Sequence, residues 1–431
     1  MRKNKIDIVS LGCSKNLVDS EHLMRQFQAA GYHVTHNPGR IDGETVVVNT
    51  CGFIADAQQE SIDTILQLGE AKRQGKIRNL IVMGCLSERF RTDLMEALPE
   101  VDRMYGKFDW KNMLADLGKT YREDLASERY LTTPPHYCYL KISEGCNRFC
   151  AFCAIPLITG RHTSIPMGNL LDEVRHLTAQ GVKEFNVIAQ DLSSYGTDLE
   201  GRMMLPELID NMAQIEGVEW IRLHYAYPTQ FPYDILPVMA QRDNVCSYLD
   251  IALQHISDKV LTNMRRHISR QETLDLLARL RREVPGIHIR TTLMVGFPGE
   301  GEQEFDELMD FTREARFERM GAFAYSEEAG TWAAQHLNDD IPCEMKQERL
   351  QRLMALQEEI SQDIQQQKLG QTLRVIVDRE DEDYYIGRTQ WDSPEVDPEV
   401  LIAKDKPLTV GEFSQVRITE ALPFELVATG I

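Results

Sequence analysis

The chain contains no run of about 18 apolar residues that could cross a bilayer as a helix. Its first ten residues, Met1 to Ser10, lead straight into a strand-like stretch and lack the apolar centre of a secretory leader. These absences argue against membrane and secretory classes and lead us to expect a cytoplasmic protein. There thiols stay reduced, and clustered cysteines mean metal or catalysis rather than disulfides. Positive charge is also scarce: 47 Lys and Arg stand against 67 Asp and Glu, a net charge of −20. A protein whose main partner is a phosphate backbone normally carries a basic face. This balance fits a cationic partner better, although a strongly acidic chain is also simply a soluble one.

What the chain does have is Glu144-Gly145-Cys146-Asn147-Arg148-Phe149-Cys150-Ala151-Phe152-Cys153, three cysteines within eight residues in the pattern C-x3-C-x2-C. Thiolates this close suit one soft-metal centre, and iron–sulfur clusters are held by cysteine thiolates. Structural zinc usually adds a second C-x2-C hook or histidines, and none follows here. Three protein ligands leave one iron of a four-iron cube free to coordinate a substrate. Cys138, Cys246 and Cys343 lack clustered partners and read as structural, while His255 and His267 read as surface or packing histidines.

At 431 residues, with 42% hydrophobic and 26% charged, the chain is expected to form two or three globular domains of α/β class. Apolar strands alternate with helical stretches from residue 6 to about 118, the pattern of a parallel α/β sheet. Three of these strands, 6–11, 45–49 and 79–83, are each followed almost at once by a cysteine: Cys13, Cys51 and Cys85. Ligands of open α/β sheets bind outside the carboxyl ends of the strands. The three thiols should therefore share one rim, each beside a glycine (Gly12, Gly52, Gly84) that lets backbone approach closely. Single free cysteines are ordinarily small buried hydrophobes, but three at equivalent positions favour a second cluster.

Residues 119–134 are polar and read as a linker. Six further strands with helices between them, from Tyr137–Ile142 to Gly321–Tyr325, predict a parallel (β/α) part-barrel with its chemistry on the C-terminal rim. Gln190, Asp191, Gln254 and Arg290 stand at or near strand ends and could hold a polar ligand, though each alone could be a solvated loop residue or a helix cap. One long helix is expected over 341–368. Five short strands then follow in about sixty residues and predict a small antiparallel β-barrel. Such barrels often bind RNA, yet residues 371–431 hold 13 Asp and Glu against 6 Lys and Arg. The expected units are 1–120, 132–366 and 367–431.

C-x3-C-x2-C in a part-barrel resembles the radical S-adenosylmethionine (SAM) enzymes. With the three rim cysteines and the terminal barrel, the whole chain resembles the methylthiotransferases, whose last domain is called TRAM. Ser10-Leu11-Gly12-Cys13-Ser14-Lys15-Asn16 and Asn49-Thr50-Cys51-Gly52-Phe53 carry that likeness in the first domain. His224-Tyr225-Ala226-Tyr227-Pro228, Ala189-Gln190-Asp191 and Gly387 to Asp397 resemble the branch that modifies an aspartate β-carbon in small-subunit ribosomal protein twelve. The other branch modifies isopentenyladenosine in tRNA. Ala252 and Thr331-Trp332 depart from the family pattern, in which proline is expected at position 252 and after the threonine. The resemblance implies two 4Fe-4S clusters, on Cys146, Cys150 and Cys153 and on Cys13, Cys51 and Cys85, with two SAM per turnover. It also implies Phe152 near the adenine, an electron donor such as flavodoxin or ferredoxin, a basic protein substrate and a monomer.

Overall fold

The computed structural model describes residues 2–431. The first unit is a five-stranded parallel sheet of β1 (Arg2–Ser10), β2 (His33–His36), β3 (Gly43–Thr50), β4 (Asn79–Gly84) and β5 (Arg103–Met104), in the order β2-β1-β3-β4-β5. Successive strand residues point to opposite faces, so β3 divides its valines. Val47 joins Ile6, Ile8 and Ile81 beneath α1 (Ser14–Ala29), against Leu23, Met24 and Phe27. Val46 and Val48 face the other way, onto Ile65 and Leu68 of α2 (Ala55–Arg73) and Leu86 and Leu94 of α3 (Cys85–Ala97). A strand buried on both faces is central, which is where β3 sits.

The second unit begins with β6 (Tyr137–Lys141) and a short hairpin, β7 (Ser143–Glu144) with β8 (Thr163–Ser164), that frames the cysteine loop. It continues through β9 (Glu184–Ile188), β10 (Trp220–Ala226), β11 (Val245–Ile251), β12 (His288–Val295) and β13 (Arg319–Ala324). The six long strands are parallel in the order β13-β12-β11-β10-β9-β6, an open part-barrel. Its helix-covered face buries Leu140, Phe185, Val187, Ile221, Leu249 and Ile289. The long helix Cys343–Gln366 packs Leu353 into the same core.

The terminal unit is a closed barrel of β14 (Thr372–Glu380), β15 (Tyr384–Thr389), β16 (Glu399–Ala403), β17 (Phe413–Ala421) and β18 (Glu425–Gly430). All neighbours are antiparallel except β16 and β18, which run parallel. Val375, Val377, Val400, Ile402, Val416 and Ile418 fill it at every second position.

The units are not loosely strung. The stretch read as a linker carries Arg129, fully buried between the carboxylates of Glu21 (3.4 Å) and Glu173 (3.0 Å) and donating to the Tyr139 carbonyl at 2.7 Å. At the opposite end of the part-barrel from the cysteine loop, the segment after β15 lies against side chains from the face away from the helices. The Gln390 carbonyl accepts from Arg222 at 2.5 Å, Glu395 from Tyr139 at 3.2 Å and Asp397 from Tyr248 at 2.7 Å, while Arg319 pairs with Asp392. The terminal barrel thus closes the floor of the part-barrel.

Candidate metal centre and substrate cavity

Because β1, β3 and β4 are parallel neighbours, the chain leaves all three at one edge. Cys13 caps α1, Cys51 directly follows β3, and Cys85 opens α3 directly after β4. The loops are packed too closely for side chains beside the thiols. A Cβ on Gly12 (φ +86°) would lie 2.7 Å from the Cys51 Cβ, and one on Gly84 (φ +106°) would lie 2.6 Å from the Thr50 carbonyl oxygen. One on Gly52 would meet the Leu86 nitrogen at 2.6 Å. Asn16 locks the three loops together: its amide donates to the carbonyls of Leu11 (2.9 Å) and Thr50 (3.0 Å), and its oxygen accepts from the Cys85 thiol at 3.8 Å.

The second trio sits on the loop after β7. A Cβ on Gly145 would lie 2.1 Å from the Arg161 carbonyl oxygen, so only glycine closes this loop against the strand opposite. The Arg148 backbone N–H donates to the Cys146 sulfur at 3.4 Å, and an Arg266 guanidinium N–H donates to the Cys150 sulfur at 3.2 Å. Tyr227 holds its hydroxyl 3.6 Å from the same sulfur, with the guanidiniums of Arg266 and Arg148 at 4.2 and 4.4 Å from its ring centre.

All six cysteines line one cavity of about 340 Å³. Burial pushes the Cys85 and Cys146 thiols up to about 12 and raises Cys153 further. Such thiols become thiolates only when bound cationic metal displaces their protons. Among the described residues no three His, Cys, Asp or Glu side chains are arranged to hold a single ion. Each trio nevertheless offers an all-cysteine donor set, the kind that holds iron–sulfur clusters. The cavity wall also holds two buried amide oxygens without a hydrogen-bond partner, Oε1 of Gln190 and of Gln254. Each is an acceptor left open to a hydrogen-bond donor in the cavity. Gln254 has a left-handed backbone (φ +72°), as does Tyr225 (φ +65°), strain of the kind that gathers at functional sites.

The sequence-chosen residues divide. Gln190, Gln254 and Phe152 line the cavity; Phe152 also packs edge-on against Phe297, at 6.1 Å between ring centres. Asp191 is instead a helix cap, accepting from the Ser193 N–H at 2.9 Å, and it anchors Arg148 of the cysteine loop at 2.7 Å. Arg290 is not in the cavity wall: it lies nearer the floor, bound to Asp250 (3.3 Å) and Asp397 (3.2 Å), because it falls early in β12 rather than at its end. Cys138 and Cys246 are buried, and Cys343 is exposed. His255 packs fully buried against Glu300, 3.2 Å away. Ala252 turns out to matter for the wall, since its carbonyl accepts from the Arg266 side chain that also reaches Cys150.

Sequence reasoning passed over the charges that join the domains around the cavity. Lys107 meets Asp19 (3.4 Å) and Glu144 (3.0 Å), while Lys141 meets Glu144 (2.8 Å) and Asp19. Burial opposes ionisation of Glu144, yet Lys141 and Lys107 hold its carboxyl down at about 2. On the other flank Glu328 accepts from the Ala55 N–H and the Gln58 amide, both at 3.0 Å, and Arg89 spans the Gly52 and Ala329 carbonyls. No sequence signal marks these pairs, because all but Lys141–Glu144 join residues dozens to hundreds of positions apart.

Known proteins align with this arrangement unit by unit. Residues 5–106 match an uncharacterized protein family, UPF0004, residues 140–312 the radical SAM superfamily, and residues 369–431 the TRAM domain. A protein of Parabacteroides distasonis named ribosomal protein uS12 methylthiotransferase RimO is 65% identical over 426 residues, covering 99% of each chain. The proteins of that name from Bacteroides thetaiotaomicron and Christiangramia forsetii are 60% and 49% identical, each over 99% of this chain and over 98% and 94% of their own. The chain belongs to the ribosomal protein uS12 methylthiotransferase family.

The uS12 methylthiotransferases are enzymes of the radical SAM superfamily, whose chemistry uses a 4Fe-4S cluster and SAM. The fold is shared more widely: the radical SAM methyltransferase TsrM of Kitasatospora setae superposes with a TM-score of 0.54 at 14% identity, over 75% of each chain. Among the described residues no helix is long and apolar enough to cross a membrane.

Proposed function

We propose that this chain methylthiolates the β-carbon of an aspartate in ribosomal protein uS12, replacing one C–H bond by C–S–CH3. The observation that carries this reading is the single cavity lined by both cysteine trios, which would bring two clusters to one substrate carbon. Cys146, Cys150 and Cys153 would hold a 4Fe-4S cluster whose chemistry is one-electron reductive cleavage of SAM, and Cys13, Cys51 and Cys85 would hold a second whose chemistry is sulfur supply, with a second SAM as methyl source. The target C–H bond is unactivated, so no side-chain base of ordinary strength removes its proton.

The chain's own groups hold and shield. Arg266 donates to the Cys150 sulfur and stabilises its thiolate. Gln190, Gln254 and Phe152 would receive SAM. The Glu144–Lys107–Lys141–Asp19 network and the Glu328 contacts keep the two rims facing each other. An external one-electron donor, a flavodoxin or ferredoxin, would feed the reaction, and the enzyme would work as a monomer in the cytoplasm, where its ribosomal substrate is made. Units 1–120, 132–366 and 367–431 would carry sulfur delivery, radical generation and docking, respectively.

Docking would use the exposed acidic run Glu380, Asp381, Glu382 and Asp383 of the terminal barrel, matched to a basic protein. The same run would repel tRNA phosphates, against the isopentenyladenosine reading. Reconstituted enzyme, SAM and reductant, incubated separately with uS12 and with tRNA, test the choice by mass spectrometry. Gain of one methylthio group on uS12 is expected; gain on tRNA alone overturns the proposal.

A further inference from the structure

The wall of the two-trio cavity carries four cations and not one carboxylate among the described residues, in a protein of net charge −20. Three of the four are engaged. Lys107 is shared by Asp19 and Glu144, Arg148 is held by Asp191 at 2.7 Å, and Arg266 spans the Cys150 sulfur and the Ala252 carbonyl. The fourth is Lys15. It is only 9% exposed, yet its ammonium makes no hydrogen bond or ion pair with any described residue. It rests on the face of Tyr225, 3.3 Å from the ring centre.

This placement works against folding. A lysine this enclosed, its ammonium open only to the cavity and without an anion beside it, has lost hydration that a ring face replaces only in part. Lys15 also lies in the first turn of α1, where the positive end of the helix dipole disfavours a cation and attracts an anion. Asp250, an acid that feels the Lys15 charge, is already bound by Arg290 at 3.3 Å. Nor is Lys15 the charge that serves the neighbouring thiols, since Lys107 is the cation acting on Cys85. The ammonium and the open helix end therefore leave an anion position inside the cavity, two residues from Cys13.

We propose that Lys15 binds the side-chain carboxylate of the acidic residue undergoing methylthiolation, fixing its β-carbon between the two trios and setting the preference for aspartate. This inference rests on the reading of the chain as a methylthiotransferase acting on an aspartate. A carboxylate held at Lys15 sits on the sulfur-delivering side, so the adjacent carbon would face both the thiol rim of the first unit and the SAM pocket of the second. Asparagine, lacking the charge, would leave the buried ammonium unmatched, and recognition by a charge-assisted hydrogen bond is lost with it.

The test uses the reconstituted full chain and fluorescent uS12 peptides with aspartate or asparagine at the target position. Wild type should bind the aspartate peptide about tenfold more tightly or better, the discrimination typical of one charged hydrogen bond. Lys15→Gln should abolish that difference and raise KM for the aspartate peptide, with iron content and SAM affinity as in wild type. Lys15→Arg should restore part of the discrimination. If Lys15→Gln discriminates as wild type does, or loses iron or SAM affinity while discrimination persists, the inference is wrong and the cation serves a cluster or SAM. A wild-type enzyme that modifies tRNA and neither binds nor modifies the peptide overturns the parent reading as well.

Discussion

Arg290 of the part-barrel and Asp397 of the terminal barrel meet with 3.2 Å between Nε and Oδ1, and the same carboxylate accepts from the Tyr248 hydroxyl and the Ser393 N–H. This contact makes the third unit a floor for the second. Asp397→Ala should strand Arg290 with Asp250 alone and destabilise the chain by about 3 kcal/mol, the scale for removing one partner of a buried ion pair. Denaturant unfolding checks it; a change below about 0.5 kcal/mol, ordinary for a surface site, would show that the floor contact is incidental.

Iron content should follow the two trios independently. Cys51→Ala and Cys150→Ala are each expected to lose about half the iron of the reconstituted wild type, about four of eight atoms. Colorimetric iron and sulfide assays read this directly. Loss of all iron from either variant would mean that the two sites are not separate.

Arg266 touches the Cys150 sulfur and would tune the cluster held there. Its donated hydrogen bond and positive charge at the Cys150 sulfur favour the reduced, more negative state. Arg266→Ala should lower the reduction potential of the cluster on that loop, so that an external donor reduces it less completely, with Arg266→Lys intermediate. An EPR-monitored redox titration measures it, and an unchanged potential would remove Arg266 from the account.

Acid should loosen the floor. Burial alone would raise the Asp392 carboxyl, but Arg319 and Lys368 hold it down at about 2. Its folded value lies below its unfolded one, so its contribution is present above about pH 4 and is lost as pH falls towards 2. The size is on the order of 2 kcal/mol. Urea unfolding of metal-free protein across that range should show Asp392→Asn lacking this part of the wild-type slope; parallel slopes would contradict the assignment.

Much of this architecture was legible in the chain because its determinants are local. C-x3-C-x2-C spans eight residues, and the strands before Cys13, Cys51 and Cys85 are short apolar runs that announce themselves. The parallel sheet, the six-stranded part-barrel and the terminal barrel follow from that periodicity. Edge strands β2 and β5 carry too little apolar sequence to be read, and two residues on either side form the hairpin around the cysteine loop.

Pairings between distant positions were invisible, and they changed the meaning of individual residues. Arg290 was expected at the ligand and is instead committed to the floor. The acidic count of the terminal unit overstates its free surface, since Asp378 pairs with Arg388 and His136, Asp392 with Arg319, and Asp397 with Arg290. Asp381, Glu382 and Asp383, with Asp405, Glu420 and Glu425, stay exposed and without an ion-pair partner among the described residues.

Two cysteine trios with different tasks would address one substrate position. This is tested most directly by measuring deoxyadenosine and methylthiolated uS12 in the same reaction with Cys13→Ala. SAM cleavage should continue with no sulfur inserted. Loss of both products together, or methylthiolation persisting without Cys13, would contradict it.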